Sequence, residues 1–245
     1  MLLPLQRSKL SLLCCMTAVQ SGYEALSAQQ TAFLHPEEMH RLHQLKVAGA
    51  RHSYLLGRYA AKLAVAGLFP DFPMAAVKVL PGVFGQPVVY LPGGANLQLS
   101  IAHTGRTGFA LAFPEAHPMG LDTEEIGTQQ GQTIRSILSP QETALLPLIS
   151  ADRDSSLSLT WTMKEAIAKI MRTGLMTPPE IYSLEQISRD EGLIQARFTH
   201  FPQYRSLSWI SGGQAWSVVL PANTVTDLQL IREFAQRTDA LPGRA

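Results

Sequence analysis

Acidic side chains at two separate places in the second half of the chain could together bind a divalent cation beside a phosphate. The segment 120–125 reads as a strand, and in a strand Asp122 and Glu124 present their carboxylates on the same side. Two carboxylates on one face repel each other unless a cation lies between them. Glu165 follows about forty residues later and adds a third hard oxygen ligand. Such a set suits Mg²⁺, which prefers carboxylates, water and substrate phosphates. We therefore predict Asp122, Glu124 and Glu165 as metal ligands.

Glu165 must be positioned by a helix, which the pattern predicts over 161–170. At 100° per residue its apolar side chains form one stripe for the core, consisting of Met163, Ala166, Ile167 and Ile170. Glu165 and Lys169 lie on the opposite side together with Trp161. A surface helix gains little by exposing a tryptophan beside charges, so this face is expected to line a cleft. An ordinary Glu–Lys pair on a solvated face is the alternative.

A second helix pattern in the first half is basic on one side. No Asp or Glu occurs between Met39 and Pro70, whereas Arg51, Arg58 and Lys62 align on one face of the predicted helix. Aligned like charges repel unless they face an anion, and arginine binds phosphate through two hydrogen bonds. The pattern is consistent with a phosphate site or with a solvated basic face.

Two further segments near this helix have a composition that suits phosphate binding. A predicted strand over 97–103 ends at His103, which continues an apolar row, and Thr104 and Gly105 follow in a turn. Backbone donors in such a turn can approach a phosphate, although a histidine there is often a core residue. The segment 82–87 reads as a tight loop between short extended segments.

The composition of the chain bounds its class. Its 245 residues are 46% hydrophobic and 16% charged, and the formal net charge of +1 argues against a nucleic-acid binder. Cys14 and Cys15 are adjacent, which is poor geometry for a disulfide and indicates a reducing compartment, the cytoplasm. No apolar run is long enough to span a membrane. The run Leu10–Ala18 is interpreted as a first buried strand; a signal peptide is the alternative.

An internal repeat predicts the architecture. The paired strand segments beginning at Leu99 recur at Leu207, and in the preceding helices Lys62 aligns with Lys169, at offsets of 107 to 108 residues. We therefore predict an α+β fold with two similar halves related by a pseudo-twofold axis, and a site where they meet. The boundaries are 1–117, carrying the basic helix, and 118–245, carrying the carboxylates and the second helix.

These residues resemble the double signature of the Sfp-type 4′-phosphopantetheinyl transferases. The family pattern is G-x-D-x-E followed, some forty residues later, by W-[ST]-x-K-E-A-x-x-K. The chain has Gly120-Leu-Asp-Thr-Glu124 and Trp161-Thr-Met-Lys-Glu-Ala-Ile-Ala-Lys169. The resemblance extends to Gly57-Arg-Tyr-Ala-Ala-Lys62, to the loop Phe84-Gly-Gln-Pro87 and to His103-Thr-Gly105.

The resemblance implies Mg²⁺-dependent transfer of the 4′-phosphopantetheine arm of coenzyme A to a serine of an apo acyl or peptidyl carrier protein. Adenosine 3′,5′-bisphosphate is released. Glu165 is then a metal ligand and the base for the serine proton, directly or through a metal-bound water, and Lys169 offsets charge on the pyrophosphate. The residues implied in coenzyme A binding are Arg51, Arg58, Lys62, Gln86, His103, Thr104 and Lys164.

Departures from the family pattern leave alternatives open. Gln86 replaces a lysine and Ala102 replaces a serine, so a non-catalytic homologue that binds coenzyme A or a carrier is one alternative. Another Mg²⁺-dependent phosphoryl-transfer enzyme is a second. Glu142 either joins the acidic site or caps a helix that starts after Ser139. We expect a monomer that binds neither nucleic acid nor membrane; the pattern does not specify the carrier or its pathway.

Overall fold

A computed structural model describes residues 1–241, and the chain passes from one compact unit to a second between Pro118 and Met119. Helices and strands are mixed in both units, so the predicted α+β class is confirmed. Within the described residues, no helix combines the length and the hydrophobicity that a membrane-spanning segment needs.

The first unit combines four helices with six strands. In chain order these are β1 (Leu2–Arg7), β2 (Leu10–Gln20), α1 (Tyr23–Ala28), α2 (Gln30–Phe33), α3 (Pro36–Gln44), α4 (Ala48–Leu68), β3 (Lys78–Pro81), β4 (Pro87–Tyr90), β5 (Leu97–Thr104) and β6 (Thr107–Pro114). Strands β1, β2, β6 and β5 lie side by side in that order, all antiparallel, and β3 pairs with β4 in a separate hairpin.

Helix α4 packs on this sheet through small and branched apolar side chains. Leu56, Ala60, Ala64 and Val65 are fully buried or nearly so. Thr17 on β2 donates a hydrogen bond of 2.8 Å from Oγ1 to the carbonyl of Ala60, which ties the strand to the helix. The run interpreted as a buried strand is indeed a strand, but it is the second one, because β1 precedes it.

The second unit combines four helices with six strands. In chain order these are β7 (Gly120–Glu125), α5 (Thr128–Ser136), α6 (Pro140–Ile149), α7 (Arg153–Met171), β8 (Leu184–Asp190), β9 (Leu193–Phe198), β10 (Tyr204–Ser211), β11 (Gln214–Pro221), β12 (Val225–Thr226) and α8 (Leu228–Asp239). Five of these strands form an antiparallel sheet in the order β7–β11–β10–β9–β8.

Helix α7 covers one face of this sheet. Of the predicted apolar stripe, Met163, Ala166 and Ile167 are fully buried, and Ile170 is partly buried against the same core. Asp152 caps the helix by accepting a hydrogen bond of 2.9 Å from the Ser155 amide. The other face contacts α8, where the indole of Trp209 packs edge-on against Phe234.

Both units place their elements in the same order. A strand (β2 or β7) is followed by helices, of which the last is the longest, and then by two hairpins. The second hairpin is β5–β6 in the first unit and β10–β11 in the second, and Gly105 and Gly212 turn them with φ of 54° and 58°. L side chains rarely adopt this left-handed conformation, which accounts for glycine at both turns.

Candidate functional site

Strand β7 and helix α7 bring the signature residues of the second unit together. Gly120 makes this possible, because a Cβ at this position would overlap the carbonyl oxygen of Ala166 on α7. The missing side chain lets the helix approach the strand closely. Asp122 and Glu124 then lie on the face of the sheet that α7 covers, since Asp122 stands opposite Ser217, whose hydroxyl hydrogen-bonds to Thr162 on that helix.

Lys169 contacts strand β7 rather than Glu165, its neighbour on helix α7. Its Nζ donates to Asp122 Oδ1 at 2.7 Å and to the carbonyl of Leu121 at 3.0 Å. The Asp122 side chain is only 8% exposed, so this ion pair is largely shielded from water. The ordinary Glu165–Lys169 surface pair considered from the sequence is therefore not the main interaction of Lys169.

The three carboxylates interact electrostatically. Burial, together with the negative charges of Asp122 and Glu165, raises the pKa of Glu124 to about 7, against the opposing effect of Lys169. Burial and the charge of Asp122 also raise the pKa of Glu165. The raised pKa values of Glu124 and Glu165 show that nearby positive charge does not fully offset the negative charge of this cluster.

The carboxylates do not form a ready-made metal cage. Within residues 1–241, no three histidine, cysteine, aspartate or glutamate side chains lie close enough to hold a metal ion by themselves. Mg²⁺ often uses only one or two protein carboxylates and completes its shell with water and substrate phosphates. The arrangement therefore suits a cation that arrives with a phosphate-bearing substrate.

Beside Glu165 lies a small cleft, which agrees with the face predicted from Trp161. Its walls come from α7 and from the turns that follow it, and they consist of Trp161, Lys164, Glu165, Ala168, Gly174, Thr177, Pro179 and Tyr182. The Tyr182 hydroxyl hydrogen-bonds to Thr173, which joins the two turns.

Lys164 is an interior residue. Its ammonium lies 2.6 Å from Glu142 Oε1 and donates to the carbonyl of Pro179 at 3.1 Å, and the side chain is 2% exposed. Glu142 is fully buried; it caps α6 together with Ser139 and also accepts from the Leu184 amide at 3.0 Å. The capping interpretation of Glu142 is therefore correct. We no longer assign Lys164 to ligand binding, because its ammonium is enclosed.

The first unit contains the same arrangement. Lys62 Nζ lies 2.7 Å from Glu38 Oε2, both side chains are fully buried, and the ammonium also donates to the carbonyls of Met74 and Val77. Glu38 caps α3 and accepts from the Val79 amide at 3.2 Å. Lys62 thus holds the fold together, and we no longer assign it to a coenzyme A contact.

These contacts correct the predicted alignment of the two helices. The residue equivalent to Lys62 is Lys164 and not Lys169, because each pairs with the third residue of the preceding helix. Sequence reasoning missed Glu38 entirely. A signal was present, since His35-Pro-Glu-Glu38 and Ser139-Pro-Gln-Glu142 are both helix starts with an acid at the capping position.

The remaining basic residues of the first unit are partly accessible. Arg58 lies 3.3 Å from Glu38 through Nε and stacks over Tyr54 at 4.8 Å, and Arg51 lies over Tyr23 at 5.7 Å. Both stacks hold a guanidinium by a cation–π contact and leave N–H groups for an anion.

His103 is exposed at the end of β5. Helix α4 passes close to this strand at Gly57, where a Cβ would lie 3.2 Å from Ile101 and 3.7 Å from the His103 imidazole. Thr104 follows at the hairpin turn. Gln86 closes the 82–86 loop, where its Oε1 accepts from the Phe84 amide at 3.0 Å. Ala102 is only 6% exposed, so a hydroxyl at that position would have little access to a ligand.

Comparison with known proteins addresses the segment that carries this cluster. Residues 118–220 match the model of the 4′-phosphopantetheinyl transferase superfamily. The superfamily predicted from the sequence is thereby confirmed for this segment, which contains Asp122, Glu124, Glu165 and Lys169. It does not distinguish the Sfp-type branch, which stays a prediction. No curated protein sequence gives a significant match to the chain.

Solved structures similar to the chain include two holo-acyl-carrier-protein synthases. One, from Bacillus anthracis and solved in complex with coenzyme A, is 18% identical with a TM-score of 0.38; the overlap covers 41% of this chain and 92% of that one. The other, from Plasmodium yoelii, is 19% identical with a TM-score of 0.34, over 41% of this chain and 91% of that one.

Proposed function

We propose that the protein transfers the 4′-phosphopantetheine arm of coenzyme A to a serine of an apo acyl or peptidyl carrier protein, in a Mg²⁺-dependent reaction. The superfamily match over 118–220 supports phosphopantetheinyl transfer. The observation that carries the proposal is the cluster of Asp122, Glu124, Glu165 and Lys169, which joins β7 to α7 within that segment.

The reaction depends on neutralisation of negative charge more than on covalent catalysis by the protein. The serine oxygen forms a bond to the phosphorus that carries pantetheine, and the bond from that phosphorus to the bridging oxygen breaks. Adenosine 3′,5′-bisphosphate leaves, and the serine proton goes to a base. Because negative charge builds up on the pyrophosphate oxygens, fixed positive charge and positioning supply most of the catalysis.

The carboxylate cluster fits Mg²⁺. The pKa of Glu124, raised to about 7 by burial and by Asp122 and Glu165, indicates that the cluster favours added positive charge. Asp122, Glu124 and Glu165 would hold the ion, which when bound supplies charge neutralisation on the pyrophosphate. Since these residues do not form a complete cage by themselves, the substrate's own oxygens are expected to complete the shell.

Glu165 is the proposed proton acceptor. Burial and the charge of Asp122 raise its pKa, which makes its carboxylate a better base near neutral pH than an ordinary glutamate. It also borders the small cleft beside Trp161 and Tyr182. Lys169 keeps Asp122 in place and offsets charge on the pyrophosphate.

In the first unit, Arg51, Arg58, His103 and Thr104 are the residues proposed to bind the nucleotide of coenzyme A. The two guanidiniums are partly exposed and are held by aromatic rings, which suits phosphate recognition. Gln86 is proposed to shape the adjoining loop through its bond to Phe84. We place the activity in a monomer in the cytoplasm, where the buried free thiols of Cys14 and Cys15 stay reduced.

The test uses the purified chain, coenzyme A, Mg²⁺ and a panel of apo carrier domains. A mass gain of about 340 Da on the carrier serine, the mass of the phosphopantetheine arm, is the expected result. Glu165→Gln should abolish the gain, whereas Glu185→Gln, the same change on an exposed strand residue, should leave it unchanged. Coenzyme A binding without a gain on any carrier would instead identify a non-catalytic binder.

A further inference from the structure

A polar cleft on the second unit lies apart from the carboxylate cluster. It opens on strands β8, β9 and β10 and has a volume of about 210 Å³. Its walls are formed by Gln186, Ser188, Gln195, Ala196, Arg197 and Arg205. Two of these side chains are cationic, three can donate neutral hydrogen bonds, and none is acidic.

The strand register places this cleft on the opposite face of the sheet from Asp122. Asp122 stands opposite Ser217, and Ser217 opposite Ser208 on β10, so these three side chains share one face. Arg205 lies three residues before Ser208 on the same strand, and alternate residues of a strand point to opposite faces. The cleft is therefore a separate site and not an extension of the catalytic one.

The two arginines of the cleft stand directly opposite each other on neighbouring strands. Arg205 on β10 and Arg197 on β9 are Cα partners in the antiparallel pairing. Like charges at directly opposed positions destabilise a sheet unless something neutralises them. Among residues 1–241, the structure records no acidic side chain in an ion pair with either arginine.

The Arg205 guanidinium is held in place by two hydrogen bonds, and not all of its N–H donors are used. Its two terminal nitrogens donate to Gln195 Oε1 at 3.3 Å and to the carbonyl of Thr224 at 2.9 Å. Its Nε is buried and has no acceptor within the described part of the chain. Burial and then the charge of Arg197 lower the pKa of Arg205, so the guanidinium lacks a counter-charge.

We propose that this cleft binds a small oxyanion, namely a phosphate group held between Arg197 and Arg205 with Ser188 and the glutamine amides completing its shell. Arginine pairs match the oxygens of phosphate through parallel N–H donors. The volume selects the size of the ligand, because 210 Å³ is below the roughly 300–1,000 Å³ of pockets that enclose drug-sized molecules. Inorganic phosphate or a short phosphate monoester fits, and a whole nucleotide does not.

The test follows the backbone amides of Ala196 and Arg197 by NMR in the full chain. Inorganic phosphate is titrated at constant ionic strength, with chloride as the balancing salt, and O-phosphoserine is titrated in parallel. Saturable shifts at these amides with either anion are expected. Tighter binding of inorganic phosphate would identify a free phosphate as the ligand, and tighter binding of O-phosphoserine would identify an esterified phosphate. Shifts with neither anion, or equal shifts with chloride, would overturn the proposal.

Three variants separate this site from other basic surfaces. Arg197→Gln changes an exposed residue and should weaken binding by about tenfold or more, as expected for a lost charge-assisted contact. Arg189→Gln, an exposed arginine outside the cleft, and Arg41→Gln, an exposed arginine of the first unit, should bind as the unchanged protein does. Unaltered binding by Arg197→Gln would contradict the assignment, whatever the outcome of the transferase assay.

Discussion

At the scale of single residues, the Asp122–Lys169 ion pair decides how the carboxylate cluster behaves without a metal. Lys169→Met removes the ammonium that pairs with Asp122 at 2.7 Å, so we expect phosphopantetheinyl transfer to fall by about a hundredfold or more. The free energy of unfolding should fall by about 1–3 kcal/mol, measured by urea denaturation. Lys78→Met, which breaks the exposed pair with Glu37, is the matched control and should cost less than about 1 kcal/mol.

The raised pKa of Glu124 leads us to expect that the stability of the metal-free protein depends on pH. Its pKa in the folded state is raised to about 7 from an ordinary value of 4.5, so the folded protein binds this proton more tightly than the unfolded one. The free energy of unfolding should therefore fall as pH rises from about 4.5 to about 7. Denaturation series at several pH values test this, and Glu124→Gln should flatten the dependence.

The same electrostatics predict when Mg²⁺ stabilises the fold. Well above pH 7 Glu124 is ionised and available to a cation, whereas at pH 5 it still holds its proton. We expect Mg²⁺ to raise the melting temperature more at pH 8 than at pH 5, by differential scanning calorimetry. A shift that is equal at both pH values would exclude Glu124 from the metal site.

At the scale of elements, each unit uses a buried ion pair to fix its longest helix to the preceding helix and the following strand. Lys164→Met leaves Glu142 buried and charged without its partner, so we expect a loss of about 3–5 kcal/mol in unfolding free energy. The double variant Lys164→Met/Glu142→Gln should recover much of that loss, because no lone charge remains. Equal losses in the single and double variants, measured in a denaturant cycle, would contradict this account.

The contact between β7 and α7 predicts the effect of a single methyl group. Gly120→Ala places a Cβ on the carbonyl oxygen of Ala166, so the helix must move away from the strand that carries Asp122 and Glu124. We expect a stability loss of about 3 kcal/mol or more and a matching fall in transfer rate. Gly127→Ala, where a Cβ would contact nothing within 4 Å, is the control and should change neither.

At the scale of the whole molecule, local patterns predicted what lies along one element but not what lies between elements. The period of two in β7 and the apolar stripe of α7 are local, and both follow from the sequence. The burial of Lys62 and Lys164 does not follow from the sequence. A helical projection shows the direction in which a side chain points from the helix axis, but it does not show which residue of another element it meets. Their partner acids lie on other helices, so these two lysines were assigned to ligands and the structure places them in the interior.

Glu38 with Lys62 and Glu142 with Lys164 form the same buried ion pair at equivalent positions of the two units. This is the pattern expected if the two units arose by duplication of one ancestral unit. Strand pairing makes Thr17 the counterpart of Asp122, since Thr17 faces Ala110 on β6 and Asp122 faces Ser217 at the same place on β11. One copy thus uses a hydroxyl to fasten its helix where the other uses a carboxylate and an ammonium. The two units thus fill the same strand position with a neutral group and with a charged pair. The chain therefore carries its own natural template for an uncharged, folded version of its acidic half.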